Sequence, residues 1–297
     1  MEKQVPIDSS ARADIAKEDG VHEVTPDLGY QRHMIVNVVY FGRPGADTGE
    51  WVLIDAGLPG SATGIEGAVG ERFRRGAAPA AIILTHGHSD HVGSLLSLNE
   101  HWGVPVYAHR LEFPYLDGRS SYPPPDPGVS DGMLAKTSPM LGRGPIDASQ
   151  WLHALPEDGS VPGMDGWKWI HTPGHTPGHV SLWRESDRAI IAGDAFITTS
   201  QESPYAVMTQ REELHGPPQY FTTDWPAAKR SVEILAGLEP ELAVTGHGRA
   251  LRGPKMREAL KTLARDFDRV AVPADGRYVR EPARADENGV RYVPPEL

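Results

Sequence analysis

The stretch THGHSDHVGS, residues 85–94, holds three histidines and one aspartate within six positions. His86, His88, Asp90 and His91 all carry atoms that bind metal ions, and none of them is an apolar core residue. His86 and His88 are two residues apart, so in an extended segment both side chains point to the same side. One ion would use only some of the four, whereas two ions about 3.5–4 Å apart could use all of them. The cluster therefore predicts a metal site whose remaining ligands lie elsewhere in the chain.

Ligand-type side chains recur after three more short apolar runs. With the polar residues that follow them, these runs are WIHTPGHTPGH (169–179), IIAGDA (190–195) and LAVTGH (242–247). Loops at strand ends converge at the rim of a sheet, and buried strands hold them rigidly, as a metal site requires. The sequence therefore predicts that the missing ligands come from these loops.

The pattern of apolar residues predicts alternating strands and helices. Predicted strands lie at 33–42, 51–57, 80–85, 104–109, 166–172, 179–185, 189–195 and 242–248. Predicted helices lie at 61–75, 91–103, 224–238 and 253–271, with Ser61 and Asp224 as N-caps. Such a chain suits two sheets packed face to face with helices outside. We expect a single domain over 1–297, with an N-terminal extension at 1–30 and a C-terminal tail at 272–297.

Residues 112–150 are predicted to form an inserted lid beside the active site. The segment contains YPPPDPGVSDG and LGRGP, is rich in proline and glycine, and has no clear period. A loop of this length in a compact domain is usually functional or disordered. A passive surface excursion is the alternative.

The bulk composition narrows the class of protein. The chain of 297 residues has a net charge of −11, and an acidic surface repels phosphate backbones, so we expect no nucleic-acid partner. It has no cysteine, which excludes disulfides, thiolate metal sites and cysteine nucleophiles. It has no apolar run of membrane-span length, and residues 1–20 lack the apolar stretch of a secretion signal. We therefore expect a cytoplasmic protein with no membrane partner; the oligomeric state is left open.

The motifs resemble those of a known superfamily. THGHSDHVG is similar to the His-x-His-x-Asp-His signature of the metallo-β-lactamase-fold hydrolases, and HTPGHTPGH, AGDA and VTGHG follow in that superfamily's order. The resemblance spans roughly residues 33–250 and is closest to the glyoxalase II and lactonase-like branch. It implies an α+β fold, a four-layer αβ/βα sandwich of two mixed sheets with outer helices, and a dinuclear site at one sheet edge.

Carried over onto this sequence, the family pattern implies seven metal ligands. The first ion takes His86, His88 and His175, the second takes Asp90, His91 and His247, and Asp194 bridges both. Spacing alone leaves His171, His175 and His179 open, and the family pattern selects the middle one. The resemblance implies that His179 orients a ligand and that His171 is structural.

Asp55, in LIDAG, matches another recurrent position of the family. The resemblance implies that its carboxylate accepts a hydrogen bond from a ligand histidine. The alternative is a turn residue that ends a strand.

The resemblance implies a metal-dependent hydrolase that acts on a small molecule. Its cofactor is two divalent metal ions; zinc fits the nitrogen and oxygen ligands, and iron or manganese are alternatives. Bound metal lowers the pKa of water toward about 7, and a hydroxide bridging the two ions attacks an ester, thioester or lactone. Asp90 and Asp194 are assigned catalytic roles, Asp90 as proton carrier and Asp194 as the bridge.

Other activities are possible on the same site. Phosphodiester or β-lactam hydrolysis is the main alternative, and a non-catalytic metal-binding scaffold is another. True β-lactamases of this fold usually lack an aspartate at the position of Asp194. Persulfide dioxygenases tend to have cysteine at the position of His179. Glyoxalase II proper has a further helical region that the short stretch after His247 does not match.

The substrate pocket is expected to involve the loops 112–150 and 196–223. Its candidate residues are Tyr205, His215, Tyr220 and Phe221. Several lactonases that resemble this chain place a tyrosine three residues after the bridging aspartate, where this chain has Ile197. Isoleucine cannot donate a proton, so unless Tyr205 or Tyr220 reaches in from the following loop, we expect a preference for thioesters and activated esters over alkyl esters and lactones.

Overall fold

The computed structural model describes most of the chain. The described residues are 5–7, 9–13, 20–129, 136, 138, 142–199 and 213–295. Within these ranges, no helix is long and apolar enough to cross a lipid bilayer.

Among the described residues, the first sheet has seven strands, numbered here in chain order. They are β2 (His22–Thr25), β3 (Leu28–His33), β4 (Val36–Phe41), β5 (Val52–Ile54), β6 (Ala81–Ile83), β7 (Val106–Ala108) and β8 (Leu152–Ala154), and they lie side by side in that order. Strands β2 to β5 pair antiparallel and β5 to β8 pair parallel, so the sheet is mixed. The sheet starts at His22, whereas the sequence predicted its first strand at 33–42.

The second sheet has five strands in the part of the chain that the structure describes, and it is also mixed. They are β9 (Trp167–His171), β10 (Val180–Arg184), β11 (Ala189–Ile191), β13 (Leu242–Val244) and β14 (Leu251–Arg252), in the spatial order β14-β13-β11-β10-β9. Two small ribbons accompany the sheets. They pair β1 (Val5–Pro6) with β12 (Glu213–Leu214), and β15 (Arg284–Asp286) with β16 (Gly289–Tyr292).

The helices are numbered in chain order within the described residues. They are α1 (Ala62–Arg72), α2 (Ser89–Val92), α3 (Leu95–Trp102), α4 (Phe113–Leu116), α5 (Trp225–Gly237), α6 (Gly253–Arg265), α7 (Phe267–Val270) and α8 (Arg277–Arg280). Asp224 caps α5 as predicted, because its carboxylate accepts the Ala227 amide at 2.9 Å. The helices predicted at 91–103 and 253–271 are each interrupted, and the tail from 272 contains α8 and the ribbon of β15 and β16.

The layers confirm the predicted fold. Apolar side chains from both sheets, such as Ile54 and Ile191, form one fully or nearly fully buried core between the sheets. The outer face of the first sheet packs against α1 and α3, and the outer face of the second packs against α5 and α6. The chain is therefore a four-layer αβ/βα sandwich of two mixed sheets.

Polar contacts join the two sheets as well. Arg184, in β10, donates to Asp27, in the β2–β3 turn, at 2.6 Å. Burial favours the neutral form of Asp27, but hydrogen bonds from Arg184 and Thr25 outweigh it, so the pKa of Asp27 lies below its ordinary value. Elsewhere the Val180 amide donates to the Thr85 carbonyl at 2.9 Å. This second contact lies beside the histidine cluster and connects the first residue of β10 to the segment that follows β6.

Candidate metal centre

Strand register brings the ligand-type residues to one edge of the sandwich. In the first sheet, Ile54 of β5 pairs with Ile83 of the parallel strand β6, so Asp55 and the histidine cluster leave the sheet side by side. In the second sheet, Ile191 of β11 pairs with Val244 of the parallel strand β13. Asp194 and His247 each lie three residues beyond that pair, which places them together.

Three histidine nitrogens form what we call the first group, from His86, His88 and His175. His88 Nδ1 lies 3.1 Å from His86 Nε2 and 2.9 Å from His175 Nε2. Burial lowers the pKa of all three, that of His88 to about 4, so the imidazoles are neutral at pH 7. Neutral imidazole is the form that binds metal ions.

The second group consists of Asp90, His91 and His247. Asp90 Oδ2 lies 3.5 Å from His247 Nε2 and 3.9 Å from His91 Nε2. Burial would lower the pKa of His91, but the carboxylates of Asp194, Asp55 and Asp90 outweigh it and raise the pKa. The Asp90 side chain is 16 % exposed, whereas both histidines are fully buried. Asp90 is therefore the member of this group that meets solvent.

Asp194 lies between the two groups. Its Oδ2 is 3.4 Å from His175 Nε2, 3.5 Å from His91 Nε2 and 3.2 Å from His247 Nε2. Burial would raise the pKa of Asp194, but His247 and His91 hold it well below the ordinary value. A Cβ at Gly246 would collide with Asp194 Oδ1, so only glycine leaves room for the carboxylate.

The donor set fits metal ions. His91 Nε2 and Asp194 Oδ1 are buried and have no hydrogen-bond partner in the described residues, and such an orphaned group costs about 1–3 kcal/mol unless a ligand satisfies it. Two nitrogen ligands of one tetrahedral zinc ion stand roughly 3.4 Å apart, close to the separations in the first group. The ligand atoms of each group lie within 4.8 Å of one another. Nitrogen and oxygen donors without sulfur suit zinc, iron or manganese.

Hydrogen bonds behind the rings fix their orientation. Asp55 Oδ2 accepts from His91 Nδ1 at 2.8 Å, which is the role that the resemblance implied for Asp55. His247 Nδ1 donates to the Ile35 carbonyl at 2.6 Å. His179 Nε2 accepts from the Asp194 amide at 2.9 Å, so His179 positions the backbone of Asp194. Such partners orient ligands and tune metal affinity.

His171 stays apart from the two groups. Its Nε2 donates to the Pro177 carbonyl at 2.8 Å, and its ring stacks on His109 with centroids 4.2 Å apart. His171 pairs with Val180 in the sheet, whereas His175 lies in the loop between β9 and β10. The geometry thus agrees with a structural role for His171.

The candidate pocket residues fall in different places. Phe221 lies against the first group, with its ring 4.8 Å from that of His88, and Tyr220 packs on Phe221. His215 pairs with Glu213 at 3.2 Å. Tyr205 lies outside the described residues. Only Phe221, among the described candidates, is placed in ring contact with a proposed ligand.

Two residues that the sequence analysis did not single out lie directly behind the ligand loops. Glu112 is fully buried and follows the end of β7, and Tyr122 lies over His88 with ring centroids 4.5 Å apart. The Tyr122 hydroxyl donates to Glu112. Burial raises the pKa of Glu112, even though Tyr122, Thr176 and two backbone amides donate to the carboxylate. The rule that polar residues follow buried strands would have indicated Glu112, because β7 continues the parallel series after β6.

Comparisons with known proteins agree with this geometry. The family model described as the metallo-beta-lactamase superfamily matches residues 33–247, which includes all seven side chains that form or join the two groups. The "Probable metallo-hydrolase YflN" of Bacillus subtilis (strain 168) is 48 % identical over 258 residues, which cover 87 % of this chain and 94 % of that protein.

Two further proteins are similar over different spans. The "Hydroxyacylglutathione hydrolase GloC" of Haemophilus influenzae is 28 % identical over 118 residues, which cover 38 % of this chain and 48 % of that protein. The crystal structure of TTHA1623 in a di-iron-bound form has a TM-score of 0.50 and 25 % identity, and the match covers 80 % of this chain and 96 % of that one. The structural match supports the same fold, and the identity to YflN extends over most of the chain.

Proposed function

The chain belongs to the metallo-beta-lactamase superfamily, and on that premise we propose that it binds two divalent metal ions and hydrolyses thioesters and activated esters of small molecules. That it is a metal-dependent hydrolase follows from the family. The number of ions, the ligand assignment and the substrate class are the proposal.

The position of Asp194 carries the dinuclear part of the proposal. Its Oδ2 is within 3.5 Å of a nitrogen from the first group and of two nitrogens from the second. A carboxylate in that place can serve both groups, and its negative charge offsets part of the charge of two cations. A single tetrahedral ion would leave several of these buried groups without a partner.

Individual residues of the chain have separate roles in the proposed hydrolysis. The ions, when bound, supply an activated water at neutral pH and polarise the scissile carbonyl. Asp90 is partly exposed and close to His247, so its carboxylate can carry a proton between the site and solvent. The rings of Phe221 and Tyr122 lie over His88 and exclude water from that side.

The supply of proton donors in the described part of the chain supports the proposed substrate class. Ile197 stands three residues after Asp194, is 1 % exposed and has no acidic proton. The hydroxyl of Tyr122 is close by, but it is engaged with Glu112 and with the Gly87 amide. Leaving groups that depart without protonation are therefore favoured, as thiolates are. The name of the relative GloC, a hydroxyacylglutathione hydrolase, supports a thioester substrate.

Two measurements test the proposal. Elemental analysis of protein purified without chelator is expected to give about two ions per chain. Activity is then compared across thioesters, aryl esters, alkyl esters, lactones, phosphodiesters and β-lactams, with thioesters and aryl esters expected to give the highest kcat/KM. Full activity at one ion per chain would contradict the dinuclear site, and a phosphodiester or β-lactam as best substrate would contradict the proposed class.

A further inference from the structure

The carboxylate of Glu112 belongs to neither ligand group, yet it accepts four hydrogen bonds. Its Oε1 accepts from Thr176 Oγ1 at 2.9 Å and from the Gly178 amide at 2.7 Å. Its Oε2 accepts from the Gly87 amide at 3.0 Å and from the Tyr122 hydroxyl. All four partners act as donors, and an ionised carboxylate accepts through both of its oxygens.

The two backbone amides come from two different ligand loops. Gly87 lies between His86 and His88, in the loop after β6 of the first sheet. Gly178 lies in the loop that carries His175, between β9 and β10 of the second sheet. One carboxylate therefore joins the two loops whose side chains form the first group.

The glycines at these positions are explained by this close approach. A Cβ at Gly178 would lie 2.8 Å from Glu112 Cγ, and a Cβ at Gly87 would lie 2.6 Å from the Tyr122 hydroxyl oxygen. Neither glycine has a positive φ, so backbone conformation does not require glycine there. Both loops are thus shaped to admit Glu112 and Tyr122.

We infer that Glu112 is a positioning residue that sets the metal affinity of the first group by fixing His88 and His175 relative to each other. The inference rests on the dinuclear site proposed above and adds a residue that touches no ligand atom. Removal of the pair of acceptor oxygens of Glu112 weakens the binding of the ion held by the first group, whereas the ion of the second group stays bound.

The variant Glu112→Gln isolates the acceptor function. Glutamine has nearly the same volume, but its NH₂ would face the amide of either Gly87 or Gly178, and two N–H groups cannot bond to each other. The hydroxyls of Tyr122 and Thr176 can rotate to accept, whereas a backbone amide cannot. The amide of one of the two loops therefore loses its hydrogen bond to the side chain at position 112, while the packing stays similar.

The experiment measures zinc affinity and the environment of each ion. Metal-free wild type and Glu112→Gln are titrated with zinc against a chromophoric chelator, and cadmium NMR gives each bound ion its own resonance. We expect the ion of the first group to bind about 10–100-fold more weakly and its resonance to shift, with the second ion changed less than about twofold.

Asp126→Asn is the matched control. Asp126 is a buried carboxylate of the same segment, and its side chain accepts from the amides of Gly128 and Arg277, which belong to neither ligand loop. We expect this control to lower the midpoint of thermal unfolding and to leave both zinc affinities unchanged.

Three results would overturn the inference. They are an unchanged first affinity in Glu112→Gln, an equal loss of affinity in Asp126→Asn, and loss of both ions alike in Glu112→Gln. If Glu112→Gln does not fold, Thr176→Val removes one donor from the same carboxylate and must weaken the same ion. A wild type with a single ion would refute the dinuclear proposal, and the inference would then be decided by whether Glu112→Gln weakens that ion.

Discussion

Replacing Asp55 by asparagine should weaken the binding of one metal ion and leave the binding of the other unchanged. Asp55 Oδ1 accepts the Thr85 amide at 2.8 Å, and Oδ2 accepts His91 Nδ1 and the Thr85 hydroxyl, each also at 2.8 Å. Asparagine keeps one oxygen for the Thr85 amide but turns an NH₂ group toward His91. His91 must then either lose its partner or move its proton to Nε2, the nitrogen that faces Asp194.

The size of the effect follows from the bond that is lost. A hydrogen bond to a charged group is worth about 1.5–3 kcal/mol, and loss of such a partner behind a metal ligand typically costs about 10–100-fold in affinity. Since tenfold corresponds to about 1.4 kcal/mol, both figures agree. We therefore expect the ion of the second group to bind about 10–100-fold more weakly.

The backbone at this position makes asparagine the right replacement. Asp55 has φ = 61°, in the left-handed region, which asparagine tolerates about as well as aspartate. Alanine would add a backbone penalty unrelated to His91, so Asp55→Ala serves as a comparison for stability only. The unfolding midpoint of the metal-free proteins shows whether the fold itself has changed.

The assay is the same zinc competition, with cadmium NMR to assign each ion. Equal weakening of both ions would show that Asp55 supports the whole edge of the sheet rather than His91. Unchanged affinities would refute the reasoning altogether. Together with Glu112→Gln, the variant tests whether each group has its own supporting carboxylate.

Four more predictions follow from the structure. Asp194→Ala should abolish hydrolysis and lower the metal content measured by elemental analysis, because the carboxylate lies between both groups. His175→Ala should lose the first ion and the activity, whereas His171→Ala should retain both; equal effects would show that the ligand assignment is wrong. Since Ile197 supplies no proton, log kcat/KM should fall as the leaving-group pKa rises across an ester series, and a flat line with rate-limiting chemistry would reveal a donor. Because the pKa of Asp27 is lowered in the folded protein, its ionised carboxylate stabilises the fold above the ordinary pKa of about 3.9, and this stabilisation is lost as pH falls through the pKa of the folded state. Asp27→Asn should therefore make the free energy of unfolding, measured by urea denaturation, depend less on pH in the acid range.

The sequence located the proposed ligands best where a metal-binding residue type closely follows a strand, because the strand register then fixes where its side chain lies. Six of the seven proposed ligands follow a buried strand of three residues, β6, β11 or β13, and such strands leave little freedom in where the next side chains fall. His175 instead follows β9, which has five residues and is mostly half-buried. The choice of His175 over His171 needed the family pattern, because both follow the same apolar run. The structure separates them, since His171 still belongs to β9.

The supporting contacts were harder to predict, for a physical reason. Glu112 acts on the amides of Gly87 and Gly178, which are far from it in the chain, and a backbone amide has no residue-type signature. The early start of the first sheet was missed because the four residues of β2 and the six of β3 include only three large apolar side chains, Val24, Leu28 and Tyr30. The predicted lid at 112–150 stays a prediction, although its described part contributes Glu112 and Tyr122 to the surroundings of the first group.

The seven side chains are divided between the layers of the sandwich. The first sheet carries the loop from His86 to His91, and the second carries His175, Asp194 and His247. Bound ions would therefore add a cross-link between two layers that already pack on a shared apolar interior, and the thickness of that interior sets how closely the two halves of the site can approach. A substitution that changes the packing of core residues such as Ile54 and Ile191 is therefore expected to change metal affinity, and the metal content of a variant then reports how well its two sheets pack.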